Sequence, residues 1–177
     1  MAIKSFFIDD NELLDSLIEK IRAGVLQKDK MDYLTNVKAK MTSYRFFNEG
    51  RGKKDFNKIK AYFPQYNITD IWGNIYNRGD CAVEHYHTNH DFLYSHGYYA
   101  ISGIIYLTDS EIGTVFTKLG ITEKAERGKV LLFSPEELHE VPTVEEEAAP
   151  DEESSSVGLE LRAKRERAAV KYASING

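Results

Sequence analysis

The sequence predicts an α+β fold in which helices come first and a layer of short strands follows. Two patterns carry that expectation. Apolar residues recur at spacings of three and four from Asp10 to about Leu26, whereas from Ile68 onward they alternate or form short unbroken runs. Composition points the same way: aromatic residues make up 12% of the chain, with 11 Tyr and 9 Phe, which favours strands. With 177 residues and a 42% hydrophobic share, one domain with a substantial core is expected over 1–177. Within it, 1–67 reads as mainly helical support and 68–177 as the strand-rich core.

Leu13, Leu14, Leu17, Ile18, Ile21 and Val25 mark one face of a first helix, with Asp9 or Asp10 placed to cap its start. Asp32 to Phe47 reads as a second helix or an extended segment. Gly50-Arg51-Gly52-Lys53-Lys54 is a basic loop, and Phe56, Ile59, Ala61, Tyr62 and Phe63 form a short helix that stops near Pro64. Ile71 to Tyr76 is the first clear strand and turns at Asn77-Arg78-Gly79-Asp80. Cys81 to Thr88 follows, with Cys81, Val83, His85 and His87 expected on one face. Ile101 to Leu107 is almost wholly apolar, as for a strand buried on both sides. Thr114 to Thr117 and Lys129 to Phe133 are two more strands. Glu145 to Ser156 is acidic, then serine-rich, and reads as a solvated, mobile loop. From Leu159 the tail is rich in helix formers up to Ala169, whereas Val170 to Ile175 would suit a closing strand.

Several function classes drop out. A net charge of -5 disfavours nonspecific coating of nucleic acid. A single cysteine, Cys81, rules out an internal disulfide framework and is read as a small buried apolar residue. No apolar run reaches membrane-spanning length, and the N-terminal apolar patch is too short for a signal peptide, so a cytoplasmic chain is expected. On that reading Asn67-Ile68-Thr69 is a chance sequon. Phosphate-loop, nucleophile-elbow and helical His-Glu-x-x-His motifs are absent. Exposed strands could pair two chains into a homodimer.

The chemistry lies in the histidines. In an extended strand, residues two apart share a face, so His85 and His87 can reach one point. His139 follows the strand Lys129 to Phe133 and is placed to supply a third imidazole, giving a facial set that suits non-haem iron. The neighbouring Glu137 and Glu140 could orient that ring by accepting its other N–H. His96 reads as an ordinary polar residue. Asn74 and Tyr76 share a strand face beside this point, and Tyr106 lies near it. Trp72 is expected to pack, and Tyr94, Tyr98 and Tyr99 to cover the mouth of the strand layer.

Taken in order, Trp72 to Tyr76, Gly79-Asp80, His85-Tyr86-His87, Ser102 to Leu107, Gly113 to Phe116 and Gly128 through His139 resemble the iron(II)- and 2-oxoglutarate-dependent oxygenases. The resemblance spans roughly Ile71 to Val141 and is strongest to the prolyl-hydroxylase-like branch common in bacteriophages and marine bacteria. It implies a double-stranded β-helix, a cupin-like jelly roll, with the N-terminal helices packed outside the sheet. It also implies Fe(II) held by His85, His87 and His139, with 2-oxoglutarate and oxygen as co-substrates. Hydroxylation would fall on a protein side chain such as proline, or on a small metabolite, while 2-oxoglutarate is decarboxylated to succinate. Asn74, Tyr76 and Tyr106 would line the co-substrate pocket.

Two departures stand out. The family's usual His-x-Asp is here His85-x-His87. Asp91 is the best alternative source of the carboxylate, ahead of Glu84 and Asp80. The family also anchors 2-oxoglutarate with an arginine after the distal histidine, whose planar fork binds a carboxylate through two hydrogen bonds. Arg167 best fits that position, Arg165 is the runner-up and Arg162 the third. Otherwise these arginines form a basic helical face that neutralises the acidic loop. The departures keep two rivals open: a three-histidine, cupin-type dioxygenase that uses no 2-oxoglutarate, and a non-catalytic jelly-roll module.

Overall fold

The computed structural model describes residues 3–25, 37–48, 50–77, 79–87, 101–143 and 155–165. Lys4–Phe7 forms β1, and Asn11–Gly24 forms α1. Asp10 caps α1 by accepting from the Leu13 backbone N–H at 3.0 Å, while Leu13, Leu14, Leu17 and Ile21 are buried on one face. After β2 (Val37–Lys38), β3 (Lys40–Met41) and a single 3-10 turn comes α2, Lys53–Lys60, which buries Phe56 and Ile59. Buried Asp55 joins the helices by accepting from Lys20 Nζ and Ser16 Oγ, each at 2.8 Å. Thus the N-terminal third contributes strands as well as helices. In the segment read as a second helix or an extended segment, the described part takes the extended alternative: two short strands followed by a turn.

The remaining strands are β4 (Tyr66–Tyr76), β5 (Cys81–His85), β6 (Ile101–Tyr106), β7 (Ser110–Phe116), β8 (Ile121–Ala125), β9 (Lys129–Phe133), β10 (His139–Val141) and β11 (Ser156–Arg165). They form two antiparallel sheets, ordered β1-β9-β6-β11-β4-β3 and β2-β5-β10-β7-β8. From β4 to β11 the chain passes back and forth between the sheets, giving a jelly-roll-like sandwich. Strand β8 was not expected, because Ile-Thr-Glu-Lys-Ala is mostly exposed and lacks an apolar run. No described helix is long and apolar enough to cross a membrane.

The first sheet is buried on both faces. Ile71, Ile75, Ile105, Val130, Leu159 and Leu161 join one core with Leu13, Leu17, Ile21, Phe56 and Ile59 of the helices. Trp72 and Tyr76, then Ile104, Tyr106, Leu131 and Phe133 with Phe116, belong to clusters between the sheets. Gly73 permits the helix to sit this close: a Cβ there would lie 2.5 Å from Ile21 Cγ1.

The tail, which local propensity left open between helix and strand, is a strand as far as it is described. Residues 161–165, rich in helix formers, lie in the ten-residue β11, hydrogen-bonded to β4 on one side and β6 on the other. Val157, Leu159, Leu161 and Ala163 are buried at every second position. That period of two decides the conformation over the helix propensity of the intervening residues. Of the acidic loop, 144–154 lies outside the described residues, while Ser156 already belongs to β11.

Candidate metal centre

Two histidines come from facing strands of the second sheet. His85 ends β5 and His139 opens β10, and the two are paired across the ladder with ring centroids 4.3 Å apart. From that pair to the next, Ala82 with Val141, β5 advances three residues and β10 only two. One extra residue in β5 therefore makes a bulge that resets the alternation. Its effect corrects the expected face: Ala82 is 2% exposed and Val83 43%, yet His85 is turned inward. His87 lies beyond the strand end, where its backbone N–H donates to Pro135 at 2.9 Å. Its ring is 5.4 Å from that of His85 and 4.9 Å from that of His139.

Each imidazole is held by its Nδ1. That of His85 is 2.6 Å from the Val83 carbonyl and that of His139 is 2.9 Å from the Glu137 carbonyl. A carbonyl only accepts, so both Nδ1 atoms carry hydrogen and both Nε2 atoms are left with a lone pair in the neutral ring. His87 Nδ1 meets the Ser102 hydroxyl at 2.7 Å. Backbone carbonyls and a serine thus fix the rings, the usual support for metal-binding imidazole. The glutamate side chains expected to do this do not; at His139 the acceptor is Glu137's backbone.

The fourth member is Glu160, on the inner face of β11, in register with Trp72 of β4 and Ile104 of β6. Its Oε2 lies 3.1 Å from His87 Nε2 and 3.8 Å from His85 Nε2, and Asn74 Nδ2 donates to its Oε1 at 3.3 Å. One donor atom from each of His85, His87, His139 and Glu160 falls within 4.8 Å of the others. His139 Nε2 is buried with no hydrogen-bond partner. An orphaned imidazole nitrogen beside a buried carboxylate fits a divalent cation.

The electrostatics agree. Burial pushes His139 down to about 3, helped by the neighbouring His87 and His85. Burial also holds His87 below its ordinary value, although Glu160 opposes this. At His85 burial acts against the charge too, but the hydrogen bond and charge of Glu160 prevail and the net shift is upward. Burial would raise Glu160, yet the two histidines bring it well below the carboxylate range. Burial thus favours the neutral form of His87 and His139, while Glu160 favours the charged form of His85.

Beside the cluster, a narrow cavity between the sheets is lined by Asn74, Tyr76, Ile104, Tyr106, Thr114 and Glu160, among others. It brings together the three polar residues expected at a co-substrate pocket. The Tyr76 hydroxyl and the Asn74 carbonyl oxygen are buried without partners, while the Tyr106 hydroxyl is 2.6 Å from that of Thr114. Burial raises both phenols, so each keeps its proton as a donor at neutral pH.

The expected arginine anchor is not among the described lining residues. Arg167 and the alternative ligand Asp91 lie outside the described residues, as do Tyr94, Tyr98 and Tyr99. Arg165 ends β11, where its backbone is paired with that of Tyr66, and its side chain lies outside the described residues. Arg162 lies nearer: its guanidinium stacks 5.2 Å from Trp72 and 5.6 Å from Tyr44, and pairs with Asp70 at 3.2 Å. Glu84 is exposed, and Asp80 accepts from the Asn77 N–H in its own turn; neither joins the cluster.

Glu160 escaped sequence reasoning because its segment reads as helix-forming. The alternation Val157-x-Leu159-x-Leu161-x-Ala163 was the available signal, since a strand with those residues outward puts Glu160 inward.

No family model and no curated protein matches the sequence. Solved structures do match. The chain is similar to a viral collagen prolyl hydroxylase from Paramecium bursaria Chlorella virus-1, determined as a 2-oxoglutarate complex. That match has a TM-score of 0.64 and 16% identity, over 92% of this chain and 96% of that one. It is also similar to a prolyl-4-hydroxylase from Pseudomonas putida, with a TM-score of 0.61 and 13% identity, over 94% and 92% of the two chains. The chain therefore has the fold of these prolyl hydroxylases.

Proposed function

We propose that the chain is an iron(II)- and 2-oxoglutarate-dependent oxygenase built on a double-stranded β-helix. The observation that carries this reading is the convergence of His85, His87 and His139 beside a narrow cavity with unpartnered hydrogen-bonding groups. The likeness to two prolyl hydroxylases over more than nine-tenths of this chain supports it. When bound, iron and 2-oxoglutarate would supply oxygen activation, releasing succinate and carbon dioxide as a C–H bond is hydroxylated. The protein's part is positional. The Val83 and Glu137 carbonyls and the Ser102 hydroxyl keep the imidazole Nε2 atoms aimed at the ion. Tyr76 and Asn74 would offer hydrogen bonds to the polar ends of the co-substrate, and Phe116 and Phe133, packed on His139, would keep water from the metal. The substrate would be a protein side chain such as proline, or a small metabolite.

A second reading is favoured by one observation: β11 brings a carboxylate, Glu160, to the three histidines. This suits a cupin-type dioxygenase that does without 2-oxoglutarate. Anaerobic addition of iron(II) and then 2-oxoglutarate to the metal-free protein separates the two. A visible charge-transfer band supports the first reading, and iron uptake without the band supports the second. Failure to take up iron would leave a jelly-roll binding module.

A further inference from the structure

Glu160 is the carboxylate that reaches the three histidines, and neither the family resemblance nor its sequence setting gives it a task. Bonds of about 2.0–2.2 Å to a common ion separate adjacent donor atoms by about 3 Å and opposed ones by about 4 Å. Glu160 Oε2 lies 3.1 Å from one imidazole nitrogen and 3.8 Å from another, within that range. Burial adds a second argument: Glu160 is 4% exposed, and among the described residues the groups within ion-pair distance of it are histidines. A buried carboxylate needs a counter-charge. Asn74 already holds the other oxygen, so the side chain is aimed in advance.

We propose that Glu160 is a fourth protein ligand, donated from the central strand of the first sheet. It replaces the carboxylate missing from His85-x-His87. The inference rests on the metal-binding reading above and is independent of the choice of co-substrate. Three neutral imidazoles and one carboxylate leave a divalent ion with a single net positive charge.

The test uses the full chain, stripped of metal and titrated with cobalt(II), whose visible bands report its ligands. Affinity is read by competition with a chelator. The wild type should take up one ion per chain. Glu160→Gln, equal in size, should weaken binding by at least about a hundredfold and shift the bands; Ser102→Ala, which touches only the hydrogen bond behind His87, should cost about tenfold with the bands in place. Unchanged affinity and bands in Glu160→Gln would overturn the proposal while leaving the histidine site standing. No uptake by the wild type would overturn both. Should Glu160→Gln not fold, the wild type decides by infrared difference spectroscopy with carboxyl-labelled glutamate. A buried carboxylate stretch that moves on cobalt addition supports ligation, and one that stays overturns it.

Discussion

The two faces of β11 obey different rules. Toward the helices, Val157, Leu159, Leu161 and Ala163 fill a core whose members are apolar and close-packed. Toward the second sheet, Gly158 and Glu160 meet Asn74, Tyr76, Tyr106 and three histidines, several with polar atoms lacking any partner. The first face is fully buried, while on the second Glu160 is buried and Gly158, Arg162 and Lys164 are half-buried. Satisfaction separates them as well: the first face is complete as folded, and the second is chemically unfinished. Unfinished polar groups destabilise a fold, and their concentration on one face marks where the molecule expects a ligand.

Substitutions should split along that line. The largest effect is expected from His139→Ala, which removes the orphaned Nε2. Iron uptake and the charge-transfer band should vanish while the melting temperature of the metal-free protein holds or rises; a retained band would remove His139 from the site. Leu161→Ala, on the opposite face of the same strand, should cost about 2–5 kcal/mol in denaturant unfolding. Metal affinity of its folded fraction should stay at the wild-type value, and a parallel loss of affinity would mean the faces are coupled.

Acidification gives an intermediate effect. His139 binds its proton in the unfolded chain below about 6.5 but in the folded chain only below about 3. Between those values the unfolded state holds more protons, so stability falls as pH falls, by up to about 1.4 kcal/mol per pH unit for each such group. His87, also depressed, acts in the same direction, and His85, raised, acts against it. Chemical denaturation of the metal-free protein from pH 7 to 4 should show a net decline that His139→Ala flattens; equal slopes in the two proteins would refute the assignment. The smallest effect belongs to Tyr76→Phe. Removing an unpartnered buried hydroxyl should leave stability within about 1 kcal/mol of wild type or raise it, while weakening 2-oxoglutarate in the anaerobic titration. Lost stability with unchanged co-substrate affinity would make Tyr76 a core residue only.

Much of this was legible from residue order. The helix-core face around Leu13, Leu17 and Ile21 followed from its period, and the buried strand Ile101–Tyr106 from its unbroken apolar run. The three histidines are legible from their spacing and strand setting, as are Asn74, Tyr76 and Tyr106 as polar groups near them. Their convergence needed information that local pattern lacks. His85 faces inward because of an extra residue in β5, which registers only against β10. Glu160 was hidden because a run of Arg, Lys, Glu and Ala favours a helix locally, whereas two neighbouring strands impose extension.

The place of β11 also bears on assembly. It is the last described strand in chain order, yet it fills the gap between β4 and β6, which share no ladder of their own. Until it docks, two long strands present open edges, a state prone to pairing with other chains. The contacts that close the gap are far apart along the chain, so closure is expected late and slow. Because Glu160 arrives on the strand that seals the sheet, the full set of candidate donors comes together only as folding finishes. Before β11 docks, the site would meet metal ions with its three imidazoles alone, and full capture of the ion would report a finished fold.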